Sequence, residues 1–152
     1  MVRDYVTHLY EPTAATADAQ RADGHARAKA LAGWKASVRR QWDRIHITSI
    51  TSSDEVADLG AAREVTVLVD PNGLSPTELD VQLVHGRVLQ HGELEVLSTS
   101  SLTCTDATAR PVVYQGTVPC DTPGRYGFTV RVVPTHPDLV HPLDLGLLTW
   151  AE

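Results

Sequence analysis

Hydrophobic positions along the 152-residue chain change period near residue 44. Before that point they recur at helical spacing. Val2, Tyr5, Val6, Leu9 and Tyr10 fall at i, i+3, i+4, i+7 and i+8, one stripe of an amphipathic helix. Pro12 is read as its end. An Ala-rich run follows from Thr13, with Asp18 early and Arg39 and Arg40 late, the placement that a helix dipole favours. Leu31, Trp34, Val38 and Trp42 line one face of this second helix. Gly24 and Gly33 each cost about 1 kcal/mol relative to Ala in a helix interior, so a kink or fray is expected near Gly24.

From Ile45 the period is two. IHITSITS (45–52) alternates, and EVTVLVD (64–70) is a β-branched run closed by the turn Pro71-Asn72-Gly73. LDVQLVHGRV (79–88), ELEVLSTSSL (93–102), PVVYQGTV (111–118), RYGFTVRVV (125–133) and LGLLTW (145–150) follow, separated by turn residues. About seven short strands with no helical pattern between them predict a mainly β fold, an immunoglobulin-like antiparallel β-sandwich preceded by two N-terminal helices. The expected domains are a helical segment at 1–43 and a sandwich at 44–152.

The charge balance is acidic, −6 at pH 7, so neither nucleic acid nor an anionic membrane is an expected partner. No apolar run reaches the ~20 residues of a membrane span, and the N-terminus has no signal-like apolar core, which leaves a cytoplasmic protein as the expectation. Cys104 and Cys120 form no CxxC pair and are read as two reduced, buried thiols.

Catalytic signatures are not found. There is no nucleophile elbow and no Gly-rich phosphate loop. His136 and His141, with Asp138 between them, form the densest histidine cluster, but Pro137 and Pro142 stretch that loop, which suits solvated or capping histidines better than a metal site. Lys29 and Lys35 read as snorkelling surface lysines rather than Schiff-base formers. Asp54, Glu55 and Asp58 form a loop cluster, and Glu93 and Glu95 share one strand face turned to solvent. No catalytic, cofactor-binding or metal-binding residue is therefore assigned. The aromatic candidates for stacking on a sugar are Tyr114 and Trp150. Tyr126, two residues before an expected buried Phe128, is placed like a tyrosine corner whose hydroxyl bonds back to upstream backbone.

Several blocks resemble a known family. MVRDYVTHLYEPTA followed by LAGWKASVRRQW is similar to the tail of the bacterial α-glucan phosphorylases, the glycogen/maltodextrin phosphorylase family. GLSPTELDVQLVHGRV (73–88), GRYGFTVRVVPTHPDL (124–139) and DLGLLTWAE (144–152) resemble the further C-terminal β-domain of its long, actinobacterial-type members. The resemblance implies a parent reaction, phosphorolysis of α-1,4-glucan to glucose 1-phosphate with pyridoxal phosphate. It places the cofactor lysine and the cleft residues in a catalytic region outside this chain. It further implies a C-terminal fragment, inactive alone.

Two roles remain open. The stripe Val2, Tyr5, Val6, Leu9 and Tyr10 calls for a partner surface, either the phosphorylase catalytic region or a second copy, which gives a structural or assembly role. The alternative is a glucan-binding module that uses Tyr114 or Trp150.

Overall fold

A computed structural model of the chain describes residues 11–53, 58–121 and 123–152. Two compact units are present, Met1–Arg40 and Gln41–Glu152. The stripe from Val2 to Tyr10 lies outside the described residues, which contain one α-helix, α1 (Glu11–Gln41). Pro12, expected to terminate a helix, stands in the first turn of α1, where its missing N–H has no intrahelical acceptor to lose. Arg39 and Arg40 occupy the last turn, beside the exposed carbonyls. Leu31 and Val38 are buried and Trp34 is half-buried, so the stripe read from the spacing is the face withdrawn from water. Directly after Gly24, His25 takes a left-handed φ of 67°, which interrupts regular helix geometry where a kink was expected.

The second unit is mainly β. Its strands are β1 (His46–Ser52), β2 (Ala62–Asp70), β3 (Leu79–Val88), β4 (Leu94–Ser101), β5 (Thr103–Asp106), β6 (Val112–Pro119), β7 (Tyr126–Pro134) and β8 (Thr149–Trp150). They form two four-stranded sheets, ordered β1-β2-β6-β5 and β4-β3-β7-β8, and every pairing is antiparallel. Alternation does the sorting. Val65, Val67 and Val69 on β2, Val112 and Val118 on β6, Val81 and Leu83 on β3, and Val130 and Val132 on β7 are all buried. Contacts tie one sheet to the other. The Arg63 guanidinium of β2 lies 5.9 Å from the ring centroid of Phe128 on β7, and the Leu102 N–H donates to the Val81 carbonyl at 2.7 Å, one step beyond the β3–β4 register, before the chain changes sheet.

Two strands depart from the sequence expectation. The run 93–102 is not one strand that stops. The chain leaves the second sheet at Ser101 and joins the first at Thr103, and Leu102 is buried at the crossing. β5 follows directly. Its sequence TCTD carries no apolar alternation, because as an edge strand it is largely exposed. Gly116 on β6 makes the crossing feasible, since a Cβ there would collide with the Leu102 side chain. The run 145–150 is strand only at Thr149–Trp150. A 3-10 turn occupies Pro142–Leu145, and Gly146 closes it with a left-handed φ of 66°.

The Pro71-Asn72-Gly73 turn forms as its residues dictate. Asn72 and Gly73 both take positive φ, 45° and 88°, and the Leu74 N–H closes onto the Pro71 carbonyl at 3.0 Å. The Asn72 side-chain amide donates to the Gln41 carbonyl at 3.1 Å, which fixes the start of the unit against this turn.

Candidate functional site

The two sugar-stacking candidates part company. Tyr114 shares the parity of Val112 and Val118 on β6 and is 2% exposed. Its hydroxyl donates to the Pro76 carbonyl at 3.5 Å. Burial, with Cys104 and Asp80 adding, pushes its phenol up to about 12. A ring so enclosed cannot offer a face to a ligand, so Tyr114 is a core residue and not a glucan contact. Trp150, on edge strand β8, is 44% exposed.

A row of side chains running across three strands holds the Trp150 ring. Gln82 on β3, Arg131 on β7 and Trp150 on β8 are successive register partners. The Arg131 guanidinium lies 5.6 Å from the ring centroid of Trp150, within cation–π range. Arg131 Nε donates to Gln82 Oε1 at 2.8 Å, and Gln82 Nε2 donates to Asp80 Oδ2 at 2.6 Å. Trp150 also lines a groove of about 700 Å³ between the two edge strands β1 and β8. Asp43, Thr48, Ser49, Thr149 and Glu152 are among its other walls. On β1 the register slips between Ile47 and Ser49, and the Thr48 hydroxyl donates to the Leu68 carbonyl at 3.0 Å. This bulge sits on the groove wall, where bulges commonly re-aim side chains.

The other chemistry-bearing residues serve architecture. His136 Nδ1 accepts the Asp138 N–H at 3.1 Å. His141 Nδ1 accepts the Leu143 N–H at 3.1 Å, and Asp144 Oδ2 accepts the His141 N–H at 3.0 Å, a reciprocal capping box. Among the described residues no group of three His, Cys, Asp or Glu is arranged to hold a metal. Cys104 and Cys120 are free and half-buried rather than buried. Glu93 and Glu95 are exposed, as is Asp58, while Asp54 and Glu55 lie outside the described residues. Lys29 is exposed and Lys35 half-buried, and neither lines the groove. These lysines do not fit a pyridoxal phosphate site, which needs an enclosed amine.

Tyr126 finds a partner other than the expected backbone. Its hydroxyl lies 2.7 Å from Nδ1 of His85, whose ring is 4% exposed on the central strand β3. Burial lowers the His85 pKa from its ordinary value and raises that of Tyr126, to which Asp121 adds. A buried imidazole supplies the acceptor or donor that backbone supplies elsewhere, and a histidine in a β-branched run gave no sign of that role. Phe128, near the start of β7, is half-buried rather than fully enclosed, with the Arg63 guanidinium over its ring.

Comparison with known proteins adds the family. The model of the family described as "Glycogen phosphorylase C-terminal domain" matches residues 42–152. The chain is 32% identical over 154 residues to a glycogen phosphorylase of Mycobacterium tuberculosis (strain ATCC 25618 / H37Rv), covering 99% of this chain and 18% of that protein. It is 28% identical over 159 residues to a maltodextrin phosphorylase of Thermococcus litoralis, with the same 99% and 18% coverage. The chain thus spans under a fifth, 18%, of the length of the curated relatives it matches. No solved structure matches it significantly.

Proposed function

The chain belongs to the glycogen phosphorylase C-terminal domain family, and from that membership we propose that it is the non-catalytic β-domain of an α-glucan phosphorylase, with a structural or assembly role. The parent reaction would be phosphorolysis of α-1,4-glucan to glucose 1-phosphate in the cytoplasm. Pyridoxal phosphate would be held by a catalytic region other than these residues. The partner surface would be that catalytic region, or a second copy, met through Val2, Tyr5, Val6, Leu9 and Tyr10.

One observation carries this reading. The side chains suited to chemistry are already committed to the fold: His136 and His141 cap backbone, His85 holds Tyr126, and Tyr114 lies in the core. The strand orders support an immunoglobulin-like sandwich. With β1 to β8 taken as A, B, C, C′, D, E, F and G, the sheets read A-B-E-D and C′-C-F-G, the arrangement of that Greek key. Tyr126 then opens strand F, where a tyrosine corner belongs.

Deletion in a phosphorylase that carries this domain tests the role. The expected result is a lower melting temperature or an altered oligomeric state, with kcat per intact active site little changed. Glucose 1-phosphate made by the isolated chain from maltodextrin and phosphate would overturn the non-catalytic reading. A truncated enzyme unchanged in stability and assembly would overturn the structural one.

A further inference from the structure

We propose that the groove between β1 and β8 binds a neutral oligosaccharide, with the Trp150 ring as the stacking surface.

The ring comes first. It is 44% exposed, lines the groove, and is held by the Arg131–Gln82–Asp80 row rather than left free to turn. A pre-set side chain loses little freedom on binding, which lowers the cost of recognition. The polar walls come next. Ser49 and Thr149 offer hydroxyls, Thr48 offers a hydroxyl oxygen whose proton is held by the Leu68 carbonyl, and Asp43 and Glu152 offer carboxylates. Together they donate to and accept from sugar hydroxyls. A pyranose has an apolar C–H face and a rim of hydroxyls, which matches an indole beside such groups. Charge then narrows the class. Asp43 and Glu152 line the groove with no Lys or Arg, His46 is the one histidine on its wall, and the Arg131 guanidinium is engaged by the Trp150 ring and Gln82, so the balance disfavours phosphorylated or carboxylated ligands. Size agrees, since about 700 Å³ lies within the usual range of small-molecule sites.

An extended peptide added to the free edge of β1 is the competing occupant. The bulge at Thr48 breaks that edge, and broken edges resist strand addition. The sugar is therefore favoured.

The test titrates the whole chain with maltoheptaose, with cellohexaose, and with an oligogalacturonide as the anionic control, following amide and indole resonances. Saturable shifts are expected at the Trp150 indole and at Thr48 and Ser49 with a neutral sugar, and none with the oligogalacturonide. Trp150→Ala should weaken binding about tenfold or more. Ser49→Trp, which fills the groove and keeps Trp150, should do the same; melting curves show that each variant is folded. Two independent variants keep the site testable if one fails to fold. Absence of saturation by both neutral sugars would overturn the proposal, as would unchanged affinity in a folded variant or equal binding of the anionic chain. None of these results touches the structural role, which the domain deletion tests separately.

Discussion

The two-sheet unit has two long seams, and they are finished differently. At one, the chain itself crosses from β4 to β5, buries Leu102 between the sheets, and keeps Gly116 bare to admit it. At the other, β1 and β8 come from opposite ends of the unit, no covalent link joins them, and a groove remains with Trp150 at its wall. A seam sewn by the backbone spends its side chains on packing. A seam made of two unlinked edges leaves side chains and space for something else. The closed seam should therefore be sensitive in stability and silent in binding, and the open one the reverse.

The largest effect is expected at the crossing. Leu102→Ala should cost about 2–5 kcal/mol in urea unfolding with an unchanged m-value. Gly116→Ala should cost about 1–3 kcal/mol by overpacking against Leu102. The double variant should lose less than the sum, because the shorter side chain at 102 makes room for the new Cβ. Strict additivity would show that the two residues do not share the closed seam.

Between the seams, on the central strands β3 and β7, Tyr126→Phe should cost about 1 kcal/mol, the usual worth of one hydrogen bond, through loss of the His85 partner. An unchanged melting temperature would remove that bond from the account. His85 also sets a pH dependence. Its folded pKa lies below the ordinary 6.5, so the unfolded chain binds the proton more readily. Its contribution is full above about pH 6.5 and is lost as pH falls from there toward the folded value. Melting temperatures measured from pH 7 to pH 5 should fall more steeply in wild type than in His85→Leu.

The smallest stability effect is expected at the open seam. Trp150→Ala should change stability by no more than about 0.5 kcal/mol, as an exposed edge residue would. A larger loss would mean that this seam, too, is built for packing, and the contrast between the seams would collapse.

Alternation made β2, β3 and β7 legible, since valines at every second position mark a buried face. The same parity puts Tyr114 with Val112 and Val118, so its burial was readable in principle, although an aromatic in a strand invites a surface reading. β5 was not legible, because TCTD is an exposed edge whose place is set by the crossing before it and not by its own pattern. The run 145–150 looked apolar enough for a strand, and the left-handed Gly146 cut it short. The groove was beyond reach, since Ser49 and Trp150 meet only through the order of the sheets. The histidine caps were half visible: the prolines after His136 and His141 announced extended backbone, and the ring nitrogens then took the nearest N–H groups.

Asp43 and Glu152 lie on the same groove, so the two ends of the β-unit are neighbours. A short linker would therefore join Glu152 to Gln41 without moving a strand. New ends opened at the exposed Leu89–Glu93 hairpin, where the Gly92 N–H closes a turn onto the Leu89 carbonyl at 3.0 Å, would give a circularly permuted unit. In that permutant β1 and β8 would be covalent neighbours, and the open seam would become the sewn one.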